Sequence, residues 1–195
     1  MHFQPIPIPL RDGRSCVLRQ ATAEDAAALF ELERAIVSAR QGIVKHEDEL
    51  PPDVAAFAAG REGAGLHKTD GTAFPLLVES ESGTLLGEAS VLRIPYRMLR
   101  HVGVLGIGVH PAAQGLGVGR LLMSHLLQWV RSHRDADGQR VLRVELNVHA
   151  NNTRAIALYR SMGFEHEGSR RAFLRADDGT LVDDHLMGLL LAPHP

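Results

Sequence analysis

The chain has 195 residues, of which 45% are hydrophobic, and its formal net charge is −2 at pH 7. This length suits one domain with a substantial apolar core, and the charge gives no electrostatic argument for binding nucleic acid or an anionic membrane. The single cysteine, Cys16, excludes an internal disulfide and favours a reducing compartment. No apolar run approaches the ~20 residues that span a bilayer. The sequence therefore predicts a cytoplasmic protein.

The first residues differ in composition from the rest of the chain. Residues 1–16 contain three prolines and lack the basic and then apolar order of a signal peptide. We expect them to form an extended lead-in, followed by a single domain over residues 17–191. The short apolar run at residues 17–19 predicts the first strand of that domain.

Two helices are predicted next. Thr22 and Asp25 resemble a capping box, with Asp in place of the usual Glu, at the start of a helix over residues 23–40. A second helix is predicted over residues 53–59. Residues 60–71 hold four glycines and predict a mobile loop.

Three strands follow in the middle of the chain. Residues 76–79 and 85–93 predict a hairpin, and residues 102–109 a β-branched strand whose glycines indicate a bulge or a close backbone approach. Three arginines near these strands could bind a substrate carboxylate. Such residues more often form a solvated face, which is what we expect for Arg93, Arg97 and Arg100.

A glycine-rich turn comes after the third of these strands. Gly115, Gly117 and Gly119 permit backbone conformations that other residues avoid and leave room for a ligand. The helix that follows opens with unpaired N–H groups and the positive end of its dipole. The stretch is therefore either an anion site or a tight turn without a ligand. Its spacing matches neither a Walker A loop nor the dinucleotide motif G-x-G-x-x-G.

Apolar residues at helical spacing predict two further helices. The first follows the glycine turn and presents one apolar face, which consists of Leu122, Leu126, Trp129 and Val130. The second runs from a cap at Asn152 to Gly163. Strands are predicted over residues 141–148, 173–174 and 181–190. The order of elements predicts an α+β fold with a mixed sheet.

Two motifs resemble the GNAT superfamily of N-acetyltransferases. Gln114-x-x-Gly117-x-Gly119 is similar to the family's acyl-CoA pyrophosphate loop, and the segment from Leu146 to Phe164, with Asn152 and Tyr159 at matching positions, is similar to its last strand and helix at the cofactor site. The resemblance implies a mixed, mostly antiparallel central sheet flanked by helices, with acyl-CoA bound where two strands splay apart. Residues 145–190 further resemble a branch that acetylates amino acids and small amines.

The resemblance also implies how acetyl-CoA is bound. The strand backbone that pairs with the pantetheine arm corresponds to Ile107, Gly108 and Val109. The backbone N–H groups that hold the pyrophosphate correspond to Gly115, Leu116, Gly117, Val118, Gly119 and Arg120. Asn152 contacts the cofactor through its side chain. Tyr159 lies near the sulfur and protonates the leaving thiolate.

The general base is less clearly marked. Asn147 stands where protein N-terminal acetyltransferases of this fold carry a glutamate, and an amide cannot accept the amine proton. Glu145, two residues earlier on the same face, is our predicted base, with Glu88, His101 or an ordered water as alternatives. An α-amine has a pKa of about 7.7–8, against ~10.4 for lysine, and needs only weak help.

These features predict an N-acetyltransferase that moves acetyl from acetyl-CoA to a primary amine of a small molecule, such as an amino acid, by direct attack. The alternatives are the same fold acting on a protein N-terminus or lysine, and a non-catalytic acyl-CoA-binding module. The acceptor pocket is expected from residues 33–71 and the terminal strands. The histidine spacing predicts no metal site. Homodimers are common in the family, although no residue here points to one.

Overall fold

A computed structural model describes residues 3–40, 42–64 and 71–191. Over these residues the strands are β1 (Ile6–Pro9), β2 (Ser15–Gln20), β3 (Ala73–Ser80), β4 (Leu85–Arg93), β5 (Val102–Val109), β6 (Arg143–His149), β7 (Glu165–Arg175) and β8 (Leu181–Leu190). The α-helices are α1 (Ala26–Ser38), α2 (Val54–Gly63), α3 (Val118–Ser132) and α4 (Thr153–Ser161). No helix in the described ranges is long and apolar enough to cross a bilayer.

The strands form one sheet in the order β1-β2-β3-β4-β5-β6-β8-β7. Every neighbouring pair in it is antiparallel except β5 and β6, which are parallel. This arrangement confirms the predicted α+β fold with a mixed, mostly antiparallel sheet.

Helices cover both faces of the sheet. The larger core lies beneath α3 and α4, and it includes the whole predicted apolar face of α3, namely Leu122, Leu126, Trp129 and Val130. A smaller core on the opposite face joins α1 and α2 to the sheet, where the Phe30 and Phe57 rings lie 5.4 Å apart. The sheet is therefore the middle of three layers.

The strands β5 and β6 separate after a short parallel contact. Their pairing runs only from Val102, opposite Arg143, to Val104, opposite Glu145. The other edge of β5 pairs with β4 without interruption as far as Val109. The splay that the resemblance implied is thus present, and it needs no bulge between β4 and β5. Gly108 serves close packing instead, because a β-carbon on it would lie 2.7 Å from Ile36 Cδ1 of α1.

Three element predictions need correction. The lead-in contains β1, an edge strand, and edge positions tolerate its prolines because no neighbour needs their missing N–H groups. Gly60 and Gly63 belong to α2, whose inward side chains Phe57 and Arg61 bury that helix against the sheet; residues 65–70 of the predicted loop lie outside the described residues. Strand β7 is far longer than the predicted residues 173–174. Most of its residues are polar and exposed, so its sequence lacks the apolar pattern that indicates a strand.

The arginine prediction also needs correction. Arg93 is buried, and its Nη1 lies 2.8 Å from Asp135 Oδ2 while its Nε donates to the carbonyl oxygen of Arg100. The side chain of Arg100 also pairs with Asp135, at 3.1 Å. Both arginines therefore fasten the loop after α3 to the end of β4. Of the three arginines, Arg97 alone is exposed and has no ion pair within the described part of the chain.

The start of α1 is anchored by the predicted capping box. The Asp25 carboxylate accepts hydrogen bonds from the Thr22 backbone N–H at 2.7 Å and from two nitrogens of Arg19 at 2.6 and 2.9 Å. Arg19 also bonds to Glu79 on β3 at 2.6 Å. The helix that carries Glu33 and Ile36 is thereby tied to two strands.

We expect Asp25→Ala to lower the free energy of unfolding by about 2–3 kcal/mol, because a cap and charged hydrogen bonds are lost together. Burial works to raise the pKa of Asp25, but the bonds from Arg19 and Thr22 outweigh it and lower the pKa. The difference from wild type should therefore be full near neutral pH and shrink as the pH falls through that lowered pKa.

Urea denaturation of both proteins at several pH values measures this difference. Glu31→Ala removes an exposed ion pair on the same helix and should change stability by no more than about 0.5 kcal/mol. Equal effects of the two substitutions would contradict an anchoring role for Asp25.

Candidate active site

A cavity of about 960 Å³ opens where β5 and β6 separate. Nearly all of the site residues predicted from the sequence contribute to its wall: Ile107, Gly108, Val109, Gly115, Gly117, Val118, Gly119, Arg120, Asn152 and Tyr159. Leu116 instead lines an adjoining cavity of about 360 Å³ beside Arg11. Glu145 is part of neither wall.

The glycine turn, or anion cradle, lies at one end of the cavity and has the backbone geometry that suits an anion. Gly115 has φ +86° and Gly117, the N-cap of α3, has φ +93°, a region that other residues rarely adopt. The turn thus aims the N-terminus of a 15-residue helix, with its unpaired N–H groups, into the cavity. A negatively charged group is the ligand that such a turn favours.

Arginines surround this cradle. Arg11, Arg120 and Arg154 all line the cavity, and none has an acidic partner within the described ranges. Arg154 donates instead to Gln114 Oε1 at 3.0 Å, and Arg120 to Ser161 Oγ at 2.8 Å. This end of the cavity is therefore positively charged.

Asn152 begins α4 and faces the cavity. Its Oδ1 accepts a hydrogen bond from the Ala155 backbone N–H at 3.1 Å, which confirms the predicted cap. The amide nitrogen lies against the loop after α1, where a β-carbon on Gly42 would be 2.4 Å away. Gly42, with φ +71°, thus lets that loop lie close over the N-terminal end of α4.

Tyr159 brings a protonated phenol to the cavity. The residue is 7% exposed, and burial raises its pKa to about 12. No group in the described part of the chain hydrogen-bonds its hydroxyl. The helix ends at Ser161, and Gly163 follows with φ +91°, so that the Phe164 N–H can donate to the Tyr159 carbonyl oxygen at 3.0 Å. Because the phenol stays neutral at physiological pH, it can act as a proton donor.

Glu88 on β4 lies across the ladder from Gly108 and lines the opposite side of the cavity. Its Oε2 is 3.0 Å from Arg61 Nη2. Burial raises the pKa of Glu88, against the lowering effect of the Arg61 charge. A carboxylate with a raised pKa is a stronger base than an exposed one.

The predicted base Glu145 occupies a different environment. Its Oε2 is 3.2 Å from Arg143 Nε, and Arg143 also pairs with Glu167 of β7. His101, a further alternative, is exposed and is not part of the cavity wall. Of the alternatives weighed from the sequence, only Glu88 lines the cavity.

Three charged residues that were not predicted from the sequence line the cavity beside Glu88: Glu33, Lys45 and Arg61. They fall within the segment from which the acceptor pocket was expected, but no motif marked them. A usable signal was Glu88 itself, which is the one acidic residue of β4 and is flanked there by apolar or small residues. Within the described ranges, no group of three or more His, Cys, Asp or Glu side chains could hold a metal ion.

Comparisons with known proteins agree with this geometry. The chain is 40% identical over 93 residues to N-alpha-acetyltransferase RimI of Mycobacterium tuberculosis, a match that covers 48% of this chain and 53% of that protein. The chain thus spans about half the length of this curated relative.

Two solved structures with bound acetyl-CoA share the fold. The structure of yncA from Salmonella typhimurium with its cofactor acetyl-CoA has a TM-score of 0.74 and 26% identity, covering 92% of this chain and 95% of that one. A phosphinothricin acetyltransferase from Sinorhizobium meliloti in complex with acetyl-CoA has a TM-score of 0.73 and 25% identity, covering 91% and 89%.

A family signature settles the assignment. Residues 29–164 match the acetyltransferase (GNAT) family, and this stretch includes the glycine turn, the separation of β5 from β6, and α4 with Asn152 and Tyr159. The chain therefore belongs to the GNAT family of acetyl-CoA-dependent acyltransferases.

Proposed function

We propose that the protein transfers acetyl from acetyl-CoA to a primary amine of a small molecule by direct attack. The observation that carries this proposal is the single cavity that joins the anion cradle to Tyr159 on one side of the sheet and to Glu88 on the other. One end of that cavity suits a phosphorylated donor. The other end suits a basic acceptor.

The donor runs along β5 in this proposal. Its pyrophosphate lies at the N–H groups of residues 115–120, and its arm pairs with the free edge of Ile107, Gly108 and Val109. A backbone N–H of this strand then donates to the thioester carbonyl oxygen as negative charge builds on it. Asn152 contacts the arm from the start of α4.

The chemistry needs an acid, a base and close placement of the reactants. Holding the amine and thioester together supplies much of the acceleration. Glu88 takes a proton from the incoming ammonium, and Tyr159 protonates the leaving thiolate. The phenol pKa of about 12 keeps this acid protonated, whereas a thiol has a pKa of about 8.5.

The walls around Glu88 favour a small molecule over a protein. Walls from α1, α2 and the loop at residues 42–45 lie opposite β4 and restrict what can reach Glu88. The relatives point in both directions, since one is named an N-alpha-acetyltransferase and another a phosphinothricin acetyltransferase. Acetylation of a protein N-terminus or lysine is therefore the second candidate function.

Thiol release from acetyl-CoA over a panel of small amines, amino acids and peptides tests the proposal. We expect turnover with small amines or amino acids that exceeds turnover with peptides. Preference for peptides would support the second candidate. Tight acetyl-CoA binding with no turnover of any acceptor would indicate a non-catalytic acyl-CoA-binding module and would contradict both.

Tyr159→Phe should reduce kcat by about 10²-fold, because the leaving thiolate loses its proton donor. The affinity for acetyl-CoA should stay within about twofold of wild type, since the ring and its packing against Phe164 remain. Steady-state kinetics and calorimetric titration separate the two effects. Tyr96→Phe is the matched control, because Tyr96 is 71% exposed and not part of the cavity wall. An unchanged kcat in Tyr159→Phe would remove Tyr159 from the mechanism.

Glu88→Gln should lower kcat/KM by about 10²-fold, because glutamine keeps the shape of the side chain but accepts no proton. In the wild type, kcat/KM should fall as the pH drops through the raised pKa of Glu88, since only the carboxylate form is a base. Arg61, Lys45 and Glu33 all face this carboxylate and tune that pKa. The decrease in kcat/KM at low pH that reflects protonation of Glu88 should be absent in Glu88→Gln.

A pH profile of Glu145→Gln decides between the two carboxylates. If Glu88 is the base, Glu145→Gln keeps the decrease in kcat/KM at low pH, and Glu88→Gln loses it. The reverse pattern would return the base to Glu145 and refute the assignment of Glu88.

A further inference from the structure

The acceptor half of the cavity contains two ion pairs rather than one charge. Arg61 of α2 pairs with Glu88 of β4, with Nη2–Oε2 at 3.0 Å and Nη1–Oε1 at 3.5 Å, and Lys45 pairs with Glu33 of α1. All four side chains line the same cavity. Their charges sum to zero while the cavity is empty.

Arg61 is the most enclosed of these four groups. Its side chain is 10% exposed, and its Cζ lies 5.6 Å from the centroid of the Phe57 ring. Its Nε is buried and has no hydrogen-bond partner. Glu88 is its only acidic partner in the described part of the chain. Compensation of the guanidinium charge therefore depends on this one carboxylate.

Proton transfer removes that carboxylate's charge. When Glu88 accepts the amine proton it becomes neutral, and the buried Arg61 charge is left without a counter-ion. A buried charge that loses its partner is strongly destabilised. The base can therefore work efficiently only if another anion reaches Arg61 in the same step.

We propose that this anion is a carboxylate of the acceptor itself, bound by Arg61 and lying next to the reacting amine. This inference rests on the function proposed above and names its acceptor class. Arg61 and Glu88 are in direct contact. An acceptor whose amine reaches Glu88 and whose carboxylate reaches Arg61 must therefore hold these two groups one or two carbons apart. The acceptor is an α-amino acid or a close analogue.

The neutral sum of these four acceptor-side charges supports the same class. An amino acid enters as a zwitterion, so it leaves the sum at zero, whereas an amine cation or a carboxylate alone would leave a net charge beside the buried Arg61. Lys45 and Glu33 form a second pair of opposite charges at the edge of the cavity, for a polar or charged side chain of the acceptor.

The reaction then balances within the site. The ammonium gives one proton to Glu88, and the neutral amine attacks the thioester carbon. A C–N bond forms and the C–S bond breaks. The second proton of the nitrogen reaches the CoA sulfur through the Tyr159 hydroxyl, which ends the turnover unchanged. Glu88 later loses its proton to water.

Matched acceptors test this inference on the wild-type enzyme. Each α-amino acid is compared with its α-amide and with the amine that remains after decarboxylation, at several pH values so that differences in amine pKa are accounted for. We expect kcat/KM to favour the amino acid by roughly tenfold or more, the size of one lost charged contact. Equal rates for all three would overturn the inference while leaving the N-acetyltransferase proposal intact. Failure of every acceptor would defeat the N-acetyltransferase proposal itself.

Variants of Arg61 assign the preference to this residue. Arg61→Met should reduce the preference for the carboxylate to about onefold, mainly through a raised KM for the amino acid, and Arg61→Lys should retain part of it. Arg34→Met, an exposed position on α1, is the matched control. Acetyl-CoA affinity and Tm verify that each variant is folded. If Arg61→Met does not fold, Arg61→Lys provides the test. A full preference in both variants would exclude Arg61 as the carboxylate site.

Discussion

The free edge of β5 beyond Val104 is the feature on which the rest of the site depends. Buried backbone N–H and C=O groups need partners, and here β6 supplies them only at the start of the strand. The other edge of β5 is paired with β4 along its whole length, so the strand stays rigid while one edge remains open. An extended ligand arm with amide groups can complete that edge in the way a neighbouring strand would.

The same gap explains how groups on opposite faces of the sheet can meet. Tyr159 belongs to α4 on one face, and Glu88 points toward α1 and α2 on the other. A continuous sheet would separate them. Because β5 and β6 part, both line one cavity, and the acid and the base can reach a substrate from opposite sides. The bare Gly108 lets Ile36 of α1 approach closely, so the acceptor wall packs directly on the strand that holds the donor.

The sequence marked the cavity-lining residues that we propose hold the donor far better than those proposed to hold the acceptor, and the reason is how far apart these residues lie in the chain. The glycine turn and the caps of α4 are local, so their spacing alone specifies the backbone that they require. Glu33, Lys45, Arg61 and Glu88 come from four separate elements and meet only in the folded chain. Strand alternation identified the face of Glu145, but it could not reveal that Arg143, on the same face, pairs with that carboxylate.

The two halves of the cavity also differ in charge, and this difference gives the Arg61–Glu88 pair a second role in the proposed mechanism. The arginines at the glycine turn favour phosphates, whereas the acceptor half is neutral overall. Acetylation converts the acceptor's ammonium into a neutral amide and leaves only its carboxylate on Arg61. Once Glu88 returns its proton to water, it regains its charge and competes for Arg61. The ion pair that receives the acceptor thus reforms by displacing the product, which couples loss of the proton to emptying of the site.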